Sequence, residues 1–133
     1  MDAMKRMLSL AAMLLFFLGP APPSALAAGP WDGEWFGTGT AGGATCGSET
    51  FDLTVSGNQV SGHVDYRSAK SGTTYLSDVT GQIDANGAAN LRLQGREHNA
   101  RTSKVVGTFS GTTFTGTDSG VRCSYHVELS RQR

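Results

Sequence analysis

Cysteine is nearly absent from this chain of 133 residues, which has only Cys46 and Cys123. Two cysteines without a third, and without a clustered histidine, argue against a thiolate metal site, so no metal is expected. An excess of either charge is also missing. The 11 Lys and Arg balance 11 Asp and Glu, so the chain as a whole exerts no pull on nucleic acid or on an anionic membrane. Catalytic signatures are absent too: His63, His98 and His126 form no H-x-x-x-H pair, and no serine sits in a G-x-S-x-G turn. His63 and His126 fall on outward strand positions and His98 in a loop, where solvation accounts for them. No enzyme, catalytic residue or cofactor is therefore expected. Long hydrophobic runs are lacking except for one, Met7 to Leu18, which is too short with its flanks to span a bilayer.

That run is informative because of what surrounds it. Lys5 and Arg6 precede it, Gly19-Pro20 ends it, and Ala25-Leu26-Ala27 fits the small-residue pattern that signal peptidase reads. Residues 1–27 are thus expected to be a signal peptide and residues 28–133 a single mature domain; the rival reading is an uncleaved anchor. No cysteine follows the apolar run to carry a lipid, so no stable membrane anchor is expected. The mature part, roughly 106 residues, is one domain by length. Export to the periplasm or the exterior puts Cys46 and Cys123 in an oxidising compartment, where an even pair is most simply one disulfide. Closing that loop of about 77 residues contributes on the order of 4 kcal/mol in the chain-entropy model.

The mature part shows almost no helical periodicity and alternates apolar and polar residues between clusters of Gly, Asn, Asp and Ser. Phe51, Leu53 and Val55 lead through "SGNQ" into Val60, Gly62, Val64 and Tyr66. Tyr75, Val79, Gly81 and Ile83 lead through "DANG" into Leu91 and Leu93. Val105, Gly107 and Phe109 lead through "SGTT" into Phe114, and Tyr125, Val127 and Leu129 alternate in the last strand. With the stretch around Trp35, eight short antiparallel strands are expected. They suit either an up-and-down barrel or a two-sheet sandwich. In a closed barrel the end of the first strand lies beside the start of the eighth, where Cys46 and Cys123 fall, which favours closure.

Gly33-Glu34-Trp35, at the head of the first strand, resembles the G-x-W signature of the calycins, the superfamily of lipocalins, avidins and bacterial metalloprotease inhibitors. The resemblance implies that Trp35 plugs the narrow end of the barrel. An arginine near the end of the last strand, Arg131 or else Arg133, would pack over it. Avidin-like biotin binding is not expected, since no tryptophan follows Trp35 to wall such a site, although Tyr66, Ser68 and Ala69 faintly resemble an avidin pattern.

The turns alternate ends, and their lengths are unequal. Short turns lie near Trp35; "GTAGGATCGSE", "RSAKSGTT", "REHNARTSK" and "DSG" lie at the other end, carrying Arg67, Lys70, Arg96, His98, Arg101 and Lys104. A basic mouth is expected, tempered by Glu49 and Glu97; it would attract an acidic partner or consist of ordinary solvated loop charges. Within it, Ser71-Gly72-Thr73-Thr74-Tyr75 resembles the S-G-x-x-Y loop of c-type lysozyme inhibitors. That resemblance implies that Ser71 meets the catalytic carboxylates of a lysozyme and that Tyr75 braces the loop. Lys70 would add attraction to an acidic cleft. The expected function is a non-enzymatic binding protein, an inhibitor of a lysozyme or protease acting through the 67–75 loop with Arg67, Lys70, Ser71, Gly72, Tyr75, His98 and Arg101 as partner-binding residues. The alternative is a carrier of a small apolar ligand inside the barrel.

Overall fold

A computed structural model describes Gly19 and residues 27–97, 102–120 and 123–133. The signal peptide expected over residues 1–27 lies, but for Gly19 and Ala27, outside these. Eight strands follow one another with no helix among the described residues: β1 (Gly33–Thr40), β2 (Ser48–Ser56), β3 (Gln59–Arg67), β4 (Thr74–Ile83), β5 (Ala88–Gly95), β6 (Thr102–Ser110), β7 (Thr113–Ser119) and β8 (Ser124–Arg131). Each pairs antiparallel with the next, and β1 pairs with β8 from Trp35 opposite Arg131 to Thr40 opposite His126, so the sheet closes. The sandwich alternative is thereby excluded, and no sheet edge remains to be covered.

Local chemistry explains the tight turns. Gly57 and Asn58 both have positive φ, 56° and 64°, the conformation that matches a two-residue turn to the twist of its strands. The turns at 57–58, 84–87 and 111–112 share the Trp35 end, while the segments at 41–47 and 68–73, residues 96–97, Gly120 and Cys123 share the other. Cys46 and Cys123 form a disulfide across two of these longer segments, with Cα atoms 6.0 Å apart and 77 positions between them in sequence. A disulfide is compatible with an oxidising extracellular or periplasmic setting.

The alternation of each strand decides what fills the barrel. Phe51, Leu53, Val55, Val64, Val79, Leu91, Val105, Phe109, Phe114, Val127 and Leu129 all point inward and are essentially sealed from solvent. At the end of the short turns Trp35 is fully buried, edge-on to Phe109 with ring centroids 4.9 Å apart, and Phe109 is tilted by 47° against Phe114 with centroids 4.6 Å apart. The Trp35 indole N–H donates to the Trp31 carbonyl at 2.9 Å. Arg131 lies over the Trp35 ring at 5.6 Å and donates from Nη1 to the carbonyls of Pro30 at 3.0 Å and Asp32 at 3.2 Å. The guanidinium thus satisfies the chain entering β1 while its face meets the indole. Gly33 leaves no room for a side chain there, since a Cβ would strike the Arg133 carbonyl oxygen.

Candidate mouth site

At the end away from Trp35 the inward positions change character. The last inward residue of each strand is Gly39 on β1, Glu49 on β2, Tyr66 on β3, Tyr75 on β4, Gly95 on β5, Ser103 on β6, Asp118 on β7 and Tyr125 on β8. An apolar core is therefore capped by one layer of polar, aromatic and side-chain-free residues. The sequence reads two members as loop residues, and the structure corrects this. Glu49 tempers no basic rim: it follows the inward alternation of Phe51 and Leu53 and is only 4% exposed. Asp118 lies within β7, not in a "DSG" turn, and is 3% exposed. Alternation alone could have found both, had each strand been extended by two residues.

Burial pushes the Glu49 carboxyl up to about 9, helped by its hydrogen bond to Asp118 and by that neighbour's charge. Two ionised carboxylates could not donate to each other, so the contact holds one proton. Gly39 makes the approach possible, because a Cβ there would sit 2.6 Å from Glu49 Oε1. Beside the pair, Tyr66 meets Tyr125 edge-on at 6.2 Å and Tyr75 in a stack at 6.3 Å. The Tyr125 hydroxyl is held well above the usual phenol range, first by burial and then by its hydrogen bond with Tyr66.

Above this layer stands the 68–73 loop. Its tip is organised by its own backbone: Ser68 N–H donates to Thr73 O at 3.0 Å and Gly72 N–H to Ser68 O at 2.9 Å. Ser71 Oγ accepts from Thr73 N–H at 3.3 Å, and Ser71 N–H donates to Ser68 Oγ at 3.4 Å. Gly72 takes φ +70°, which the turn requires and most side chains resist. Lys70, Ser71 and Gly72 are exposed, and Arg67, the last residue of β3, is exposed beside them. Tyr75, at the base of β4, is half covered by its stack on Tyr66.

The other expected rim residues are placed differently. His98 and Arg101 lie outside the described residues. Lys104 belongs to β6, opposite Arg92 on the outer face, so it is not a loop cation. Arg96 begins its loop but is engaged by Asp78, accepting its guanidinium at 2.6 and 2.9 Å; the hydrogen bond holds the Asp78 carboxyl below its usual range. The basic character of the mouth thus narrows, among the described residues, to Arg67 and Lys70. His63 and His126 sit on the outer face, 3.9 Å from Asp52 and 3.0 Å from Glu128. A depression of about 540 Å³ over the β3–β4 pair near the 57–58 turn, lined by residues such as Gln59, Ser61, Thr80 and Gln82, holds no titratable group.

No protein-family model and no curated protein matches this sequence. The eight-stranded antiparallel barrel is consistent with a calycin-like architecture.

Proposed function

We propose that this chain is a periplasmic or secreted binding protein that inhibits a hydrolase with an acidic cleft, a lysozyme first and a protease second, through the loop around Ser71. The observation that carries the reading is the self-bonded tip. Because Ser71 Oγ already accepts a backbone N–H, its own hydroxyl proton is left to donate outward, the polarity needed to meet a carboxylate. A loop held in shape before binding loses little entropy on docking, and the exposed Lys70 beside it suits an acidic partner. The stack of Tyr75 on Tyr66 anchors the base of the loop to the barrel. The leader-like first residues and the disulfide support that location.

The alternative, a carrier of a small apolar ligand, has less in its favour. The apolar interior is occupied by its own side chains, and the layer that opens to the mouth carries two carboxyls.

The test is inhibition of a c-type lysozyme by the disulfide-bonded protein, beside a Lys70→Ala, Ser71→Ala double variant. A hydrogen bond to a charged group contributes about 1.5 to 3 kcal/mol, so the variant should inhibit at least about tenfold more weakly. No inhibition at high micromolar protein would sink the lysozyme reading and move the search to proteases.

A further inference from the structure

Beneath the loop, the mouth layer holds a demand that the described residues do not meet. Glu49 and Asp118 are the buried charged side chains among the described residues, and no lysine or arginine is buried with them. Among the described residues, Glu49 Oε1 and Asp118 Oδ1 are sealed from solvent and have no hydrogen-bond partner outside the pair. A shared proton supplies one bond to four oxygens. What the pair lacks is positive charge that carries several N–H donors.

The surroundings select which cation. Tyr66, Tyr75 and Tyr125 line the same layer, Tyr75 stacked on Tyr66 and Tyr125 edge-on to it, and aromatic rings favour an organic cation and its methylene groups. A calcium ion needs six to eight oxygen ligands, and no group of three or more His, Cys, Asp or Glu occurs among the described residues. An ammonium needs only two or three acceptors. The segment 42–45 and Tyr75 are exposed at the rim, giving the side from which such a group would enter.

We infer that the barrel mouth is a binding site for the ammonium group of a small primary amine, which donates to Glu49 Oε1 and Asp118 Oδ1 between Tyr66, Tyr75 and Tyr125. Binding exchanges one cation for another: as R–NH3⁺ enters, the proton shared by the two carboxyls leaves to solvent, and the net charge of the site is unchanged. The groups facing the exchanged proton are Asp118 from β7, Tyr66 from β3 and Tyr125 from β8; β1 presents only Gly39. Affinity therefore rises with pH from the acidic side toward the range where the pair itself loses its proton. This site is independent of the inhibitory loop.

The probe is n-butylamine, titrated calorimetrically into the disulfide-bonded protein, with n-butanol and calcium chloride as separate arms. Butylamine should bind and release a proton, seen as a heat that changes between buffers of different ionisation enthalpy; butanol and calcium should not bind. Glu49→Gln and Asp118→Asn should each weaken butylamine at least about tenfold, whereas Lys70→Ala, Ser71→Ala should leave it unchanged. The inference is overturned by absent butylamine binding at about 10 mM, by binding without proton release, by equal binding in the folded carboxyl variants, or by calcium binding in its place. Proton release is read on the unmodified protein, so the test stands even if a variant fails to fold.

Discussion

Glu49 shows how one residue can set the pH response of a small barrel. In the unfolded chain its carboxyl ionises in the ordinary range near 4.5, whereas in the fold burial and Asp118 hold the proton up to about 9. Between those values the folded state carries more protons than the unfolded one, so this group's contribution makes stability fall as pH rises through the window. The expected outcome is that Glu49→Gln, which keeps the shape and removes the titration, flattens the decline. Thermal melts of both proteins at about pH 5 and about pH 8.5 check it, with the variant gaining relative stability at the higher pH. An unchanged difference between the two pH values would refute the shared proton. Ser71 illustrates the opposite limit: exposed and bonded only within its own loop, it matters to a partner far more than to the fold.

Among the elements, β1 is the closing stave, and its glycines are what allow closure. A Cβ on Gly37 would lie 1.9 Å from the Glu128 carbonyl oxygen and 2.7 Å from the Leu129 Cα, both backbone atoms of β8 that cannot swing aside. Gly37→Ala should therefore cost about 1 to 3 kcal/mol by forcing β8 away. Gly43→Ala, where the nearest atom is Cys46 Sγ at 3.8 Å, should stay within about 0.5 kcal/mol. Chemical denaturation of both variants makes the comparison, and equal stability would show that β1 and β8 separate freely. The strands themselves were legible in the sequence because inward and outward positions alternate strictly, as in Phe51, Leu53 and Val55 or Tyr125, Val127 and Leu129. Strand ends were less so. Glu49, Asp118 and Lys104 lie in stretches rich in Gly, Ser and Thr, which read as loops, and only hydrogen bonding to a neighbouring strand extends β2, β7 and β6 through them.

At the scale of the whole molecule, closure and the disulfide act on the same place. Cys46 and Cys123 tie the β1–β2 and β7–β8 connections, so the bond braces the rim of the mouth. Reducing it should lower stability by about 4 kcal/mol, the loop entropy returned to the unfolded chain. Denaturation midpoints with and without reductant measure this, and a loss near zero would mean that the unfolded chain is already compact. The sequence by itself determined the number of strands, their inward faces and the pairing of its two cysteines. Those follow from local alternation and from an even count, which no distant contact is needed to read. The tertiary structure alone decided that Glu49 and Asp118 come together beside Gly39 and that Arg96 is occupied by Asp78. These depend on which side chains the closed register brings within reach, across separations as long as the 69 positions from Glu49 to Asp118.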